Sequence, residues 1–325
     1  MTITTTRRTA LAAALIAPAL ARPAIGQAPW RATRPVRVVV PFPPGGATDM
    51  LARLIAQGLG EKLGQPLVIE NRPGANGVVA TQNLLGSPAD GHSLILATAD
   101  THTVLPAANP RLPYNVAEFV PVSGIASVVF ALVARPGLPV ENVQQLVEFA
   151  KRARPPLSYA SYGYASVSHV AGEVFRSAIG AEMTHVPYQG AGPGVLAITA
   201  DQVDVMMVPV AVANPQRARL RMLGVATAQR FALVPDVPTL NEQGIPVLAD
   251  AWIGLLAAPR TPPAVAEAVH TAVSEVQQTA AFQVTLRSNG FSSLGYGPAA
   301  FATFLRAESE RWGRAVRDGN IRVEG

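Results

Sequence analysis

The sequence predicts an α/β fold of parallel βαβ units shared between two lobes, and three observations predict it. Apolar runs of strand length alternate with segments whose apolar residues recur at helical spacing. The chain has 325 residues, more than one hydrophobic core ordinarily serves, so two domains are expected. One stretch, Val36 to Leu54 (VRVVVPFPPGGATDMLARL), joins a strand to a helix through a proline- and glycine-rich turn. In open α/β sheets ligands bind at such junctions, outside the carboxyl ends of the strands.

Taken in order, residues 1–28 read as a targeting segment. Arg7 and Arg8 precede an apolar run, Ala10 to Leu20, too short to span a bilayer, and Gly26, Gln27 and Ala28 offer small residues for cleavage. TTRRTAL fits a twin-arginine signal or a Sec signal with two arginines. Either implies a soluble protein in the periplasm. The chain has no cysteine, which excludes a lipoprotein anchor, disulfides, thiolate metal sites and a cysteine nucleophile. The net charge is +5, and Arg7, Arg8 and Arg22 lie in the targeting segment with no acid beside them, leaving +2. That balance, with scattered arginines and no basic stripe, does not point to nucleic acid. Mean hydropathy is +0.25, yet no uncharged run of about 18 apolar residues follows the leader, so alanine and valine in an α/β core account for it.

In the organising stretch, Val36, Val38, Val39 and Val40 suit a buried strand, and Leu51, Leu54, Ile55, Leu59 and Leu63 recur at helical spacing. Between them Pro41, Pro43 and Pro44 stiffen the loop, Gly45 and Gly46 free the backbone, and Thr48 or Asp49 is placed to cap the helix. Amides left outward at that helix start form a site for a carboxylate or phosphate, or simply a tight turn. Neither GxGxxG nor a P-loop ending is present, which disfavours a nucleotide. Further strands are expected at Leu67 to Ile69, Ser93 to Thr98, Val128 to Val133, Leu157 to Ala160, Met183 to Val186, Val203 to Val208, Leu220 to Val225 and Trp252 to Ala257. Helices are expected at Val78 to Leu85, Val143 to Lys151, Ser168 to Ile179, Pro263 to Thr279 and Ala299 to Arg317, with Gly180 closing its helix.

The strand ends supply the candidate ligand groups: Phe42, Pro43, Gly45, Gly46, Thr48 and Asp49; Thr98, Asp100, Thr101 and His102; Ser161, Tyr162, Tyr164, Ser166, Ser168 and His169; Tyr188 and Gln189. Hydroxyls, amides and imidazoles dominate, a set that orients a carboxylate by hydrogen bonds rather than by a full opposite charge. Ser168 reads equally as a helix cap, His102 and His169 as ligand or interlobe groups, Tyr188 as half-buried packing, His185 as structural, and His92 and His270 as surface residues. Scattered histidines and the absence of HExxH argue against a metal, and nothing calls for a cofactor. A serine hydrolase is the enzymatic rival, but no GxSxG elbow exists, so a binding protein is favoured.

PFPPGGATD and its helix, GQPLVIENRPGANG (64–77), PADGHSLILAT (88–98), LSYASYGYASVSHVAGEVF (157–175), HVPYQG (185–190) and LVPDVPTLNEQG (233–244) together resemble the Bug receptors. Those are the periplasmic substrate-binding proteins of tripartite tricarboxylate transporters, and the resemblance runs from about Pro35 to about Gly313. It implies the type II periplasmic binding protein fold, two α/β lobes around a ligand cleft, with crossings near residues 124–132 and 246–254. Lobe 1 is then 29–127 plus 250–325, and lobe 2 is 128–249. It implies a small organic carboxylate held by Phe42, Gly45, Gly46, Asp49, Thr98, Thr101, His102, Ser161, Ser168, His169 and Tyr188, and presentation to membrane transporter subunits, with a monomer as the default. A receptor read by a periplasmic sensor domain is the alternative. Three departures stand out: Asp100 where relatives carry a small residue, Tyr162, Tyr164 and Ala165 in the loop before His169, and Val208 and Pro209 at a strand end. Asp100 disfavours a second ligand carboxylate. The expected ligand is a monocarboxylate with an apolar or aromatic body, or an amino-bearing compound paired with Asp100.

Overall fold

The computed structural model describes residues 30–319 and 321; the leader expected over 1–28 lies outside the described residues. The chain opens with β1 (Val36–Val40), α1 (Ala47–Leu63), β2 (Leu67–Asn71), α2 (Val78–Leu85) and β3 (Ser93–Thr98). A wide π-helical turn over Asp100–Val104 and the short α3 (Leu105–Ala108) lead into the long β4 (Val120–Ala134). There follow α4 (Val143–Arg152), β5 (Leu157–Ser161), α5 (Val167–Ile179), β6 (Met183–Pro187), α6 (Ala191–Thr199), β7 (Val205–Pro209), α7 (Val210–Ala213) and β8 (Arg221–Val225). The chain returns through β9 (Asp250–Ala257), α8 (Pro263–Gln277), α9 (Ala280–Ser288), β10 (Phe291–Tyr296) and α10 (Pro298–Asp318).

Two half-sheets share β4. On one side β1 lies parallel between β2 and β3, β3 pairs antiparallel with β9, and β9 pairs antiparallel with β4 over Val120 to Val129. On the other, Phe130 to Ala134 of β4 pair antiparallel with β7, Ala131 to Ala134 also pair with β8, and β5 lies parallel to both β6 and β7. β4 therefore changes partners between Val129 and Phe130, opposite Asp250, where β9 begins. Parallel pairs dominate where a helix follows each strand, as the alternation requires.

The valines of β1 are buried, as are Leu51, Ile55 and Leu59 on the inner face of α1. Burial of each such side chain contributes about 1.5–3 kcal/mol. At the crossing, Gly254 of β9 lets the strand pass close beneath α10: a Cβ there would stand 2.4 Å from the Phe301 ring and 2.7 Å from the Ser123 carbonyl. The same helix ties the start of β9 by an ion pair between Arg311 and Asp250 at 2.7 Å, with the guanidinium stacked 4.7 Å from the Trp312 ring.

The helix starts differ from expectation. The cap residue of α1 is Gly46, so Thr48 and Asp49 lie inside its first turn, and Ser166 rather than Ser168 caps α5. Gly180 does end α5 in the left-handed conformation. Five elements were not expected at all: the single-turn helices α3 and α7, and three longer elements. α6 begins AlaGlyProGly, which reads as a turn; α9 follows α8 after only Gln278 and Thr279; and β10 carries the polar run SerSer.

Candidate functional site

β4 and β9 form the floor of a cavity of about 40 Å³ between the two half-sheets. Val128 and Phe130 of β4 and Ala251, Trp252 and Ile253 of β9 line it from below. Phe42, Gly46, Ala47 and Thr48 of the β1–α1 junction, Thr98 at the end of β3 and Asp100 just beyond it close one side. Tyr162 after β5, Ala191 at the start of α6 and Pro209 at the end of β7 close the other. A second, outer cavity of about 430 Å³ is lined in part by Pro43, Asn76, Tyr164, Tyr188 and Gln189. Phe42 and Tyr162 line both cavities, with rings edge to face and centroids 6.2 Å apart, and form the wall between them.

The first turn of α1 faces the inner cavity without a side-chain cap. Its cap residue, Gly46, has no side chain to offer, and Asp49 in the first turn is taken up by the Gly45 N–H at 3.0 Å, the Arg53 guanidinium at 3.0 Å and the Asn71 amide at 3.0 Å. Asn71 also donates to the Phe42 carbonyl at 3.0 Å. Burial alone would raise the Asp49 carboxyl, but the bonds from Arg53, Gly45 and Asn71 overcome it and hold the group below its ordinary value. Gly45, at φ +83°, supplies the left-handed turn that aligns these groups. Asp49 thus organises the loop, and the leading amides of α1, at the positive end of its dipole, stay open to an anion.

Asp100 reaches across from the β3 side to the start of α5. Its Oδ1 accepts the Val167 N–H at 2.7 Å and the Tyr162 hydroxyl at 3.1 Å, and its Oδ2 accepts the Thr98 hydroxyl at 3.3 Å. Burial pushes its carboxyl above the ordinary value against the pull of these donors. The Trp252 side chain is 1% exposed, and its indole N–H has no partner among the described residues. A buried donor left unmade is costly, so an acceptor delivered by a ligand answers a standing need.

Of the residues expected at the site, Phe42, Gly46, Thr48, Thr98, Asp100 and Tyr162 meet at the inner cavity, and Pro43, Tyr164, Tyr188 and Gln189 at the outer one. The others are drawn elsewhere. Gly45 lines a surface groove beside α6 and α7. Thr101 bonds back to Thr98 and lies 2.7 Å from the His102 Nδ1. His102 is turned by the π-helical turn into an apolar nest with Tyr114 and Phe119, where burial pushes it down to about 3. Ser161 bonds to Gly163 and His185; Ser166 takes the His169 N–H; and Ser168 donates to the Met207 carbonyl. His169 accepts the Ala165 N–H and stacks on His185 with centroids 4.0 Å apart. Burial and the neighbouring ring push His185 down to about 4, and burial lowers His169. Contrary to the surface reading, His92 is buried and accepts the Thr33 N–H, and His270 is half-buried against Ser123. Asp100, expected to pair with a ligand amine, is engaged here by three protein donors.

The tripartite tricarboxylate transporter family receptor matches residues 51–321. The chain belongs to that receptor family. Protein BugT of Bordetella pertussis is 31% identical, covering 90% of this chain and 91% of that protein. Among solved structures, R. palustris Rpa4515 with adipate is 33% identical with a TM-score of 0.86, covering 89% of this chain and 98% of that one. MatC from Rhodopseudomonas palustris with bound malate is 32% identical with a TM-score of 0.82, covering 87% and 99%. The periplasmic binding protein BugD is 26% identical with a TM-score of 0.85, covering 90% and 100%. These structural neighbours of the receptor are binding proteins, not enzymes, and the chain has their fold and the role of a solute-binding receptor. Among the described residues no helix is long and apolar enough to cross a membrane.

Proposed function

We propose that this receptor captures a small organic carboxylate in the inner cavity and presents the closed, loaded form to a tripartite tricarboxylate-type membrane transporter. One observation carries the reading: the uncapped first turn of α1 lines a cavity between the half-sheets whose floor includes Trp252, a residue with a buried, partnerless indole N–H. The carboxylate lies against the leading amides of α1, with Thr48 beside it and Phe42, Phe130 and Tyr162 around its body. Adipate and malate in the structural neighbours support an acid as ligand. The two lobes are residues 29–127 with 250–325, and 128–249, a division supported by the change of partner along β4 and the start of β9. They move about that crossing, and ligand selects the closed arrangement. Residues 1–28 direct export, and the mature chain works in the periplasm as a monomer.

Native mass spectrometry of gently purified protein, repeated after denaturation and refolding, tests this together with thermal shifts across a carboxylate panel. A mass lost on refolding, restored by an organic acid that raises the melting temperature, is the expected result. A refolded protein that no carboxylate stabilises overturns it.

A further inference from the structure

Two long helices aim their amino ends at the inner cavity region, and the protein treats them differently. α1 arrives with no side-chain cap. α5 arrives occupied: its first amide, Val167 N–H, is held at 2.7 Å by the Asp100 carboxylate from the opposite half-sheet, and its third, His169 N–H, is capped by Ser166. Tyr162 and Thr98 complete the shell of Asp100, which is 4% exposed. Around these polar ends the walls are hydrocarbon and ring: Phe42, Val128, Phe130, Ala251 and Ile253. Trp252, which also lines the cavity, has a buried N–H with no partner among the described residues.

Resting on the proposed carboxylate-receptor role, we infer that Asp100 is a built-in carboxylate filling the second anion position of the cleft, so that the cognate ligand is a monocarboxylate with an uncharged, largely apolar body. Two physical effects exclude a second carboxylate. The α5 amide and the Tyr162 hydroxyl it would need already serve Asp100, and this holds whichever protonation state Asp100 adopts. When Asp100 is ionised, like charges a few ångströms apart in a water-poor cavity repel strongly. The Trp252 N–H then gives the single ligand head, or one polar atom on its body, a donor beyond the α1 amides.

Pairs of acids with one skeleton test this: butanoate with succinate, hexanoate with adipate, and benzoate with terephthalate, measured by calorimetry on refolded wild type at pH 8. In the pair that binds, the monocarboxylate is expected to bind at least tenfold tighter. Asp100→Asn, which removes the charge but can still accept the Val167 N–H, is expected to narrow that ratio. Asp100→Gly, which also vacates the α5 amide, is expected to reverse it. A wild-type protein that binds the dicarboxylate as tightly as its partner overturns the inference and leaves the carboxylate-receptor role standing. Binding of no acid in any pair overturns both. A folded Asp100→Gly protein with the wild-type ratio overturns the role of Asp100, and the wild-type ratio remains decisive if either variant fails to fold.

Discussion

Replacing Asp49 by alanine removes the acceptor for the Gly45 N–H, the Asn71 amide and the Arg53 guanidinium in one step. These partners are not equal. The Arg53 side chain is 58% exposed, so water replaces the carboxylate there and the pair contributes under about 1 kcal/mol. The Gly45 and Asn71 bonds go to a carboxylate that is 3% exposed, and bonds to charged groups contribute about 1.5–3 kcal/mol each. Asn71 keeps its second acceptor, the Phe42 carbonyl, which offsets part of its loss. The expected cost of Asp49→Ala is therefore about 3 kcal/mol, or about 5 °C in melting temperature for a chain this long, against under about 1 kcal/mol for Arg53→Ala. Binding should suffer as well. Releasing two residues of the Gly45–Gly46 turn adds about 2 kcal/mol of ordering cost on ligand capture, roughly thirtyfold in Kd. Urea unfolding at equal m-value gives the first quantity and calorimetry with the stabilising acid the second. An Asp49→Ala protein within about 0.5 kcal/mol of wild type, or one no worse than Arg53→Ala, refutes the assignment of Asp49 as the organiser of the loop.

Trp252→Phe should weaken the ligand about tenfold, the loss of one hydrogen bond, with a smaller change in the empty protein, because deleting a partnerless donor offsets some lost packing. Calorimetry and thermal melts read the two effects separately, and equal affinity in the variant counts against the indole as a ligand donor. His102 ionises near 6.5 when unfolded and is held to about 3 when folded, so the unfolded chain binds the extra proton between those values. Stability from this group is full above about pH 6.5 and falls as pH drops, by about 3 kcal/mol at pH 4.5. His169 and His185 act in the same direction. Urea midpoints from pH 7 to 4.5 should fall steeply in wild type and less in His102→Gln, and parallel curves contradict this. Gly254→Ala should cost about 3 kcal/mol, since the added methyl meets the Ser123 backbone as well as Phe301; a melting temperature within 1 °C of wild type, roughly half a kcal/mol, rejects that packing argument.

Helix α2, β3 and the β1–α1 junction were legible in the sequence because their signals are local: a period, a proline, a pair of glycines. The cavity floor was not. Val128, Phe130, Trp252 and Ile253 sit in apolar strands, and an apolar strand reads alike whether its face meets a core or a ligand. Trp252 was the one residue there able to donate a hydrogen bond, within a stretch already marked as a crossing, and that signal was available. His102 misled for the opposite reason. A polar residue just beyond a strand looks like a ligand group, but the π-helical turn rotates it into the nest of Tyr114 and Phe119. Asp100 was recognisable as an oddity of charge, yet its partner Val167 lies 67 residues on, and no spacing rule links the end of one half-sheet to a helix start in the other.

The most direct test of the central claim is a crystal structure of the refolded protein with the organic acid that stabilises it most. One carboxylate is expected against the amides of Ala47 and Thr48, with an apolar body between Phe42, Phe130 and Tyr162 and Asp100 still on the Val167 amide. A ligand seated instead in the outer cavity among Tyr164, Tyr188 and Gln189, with the inner cavity holding only water, would contradict it.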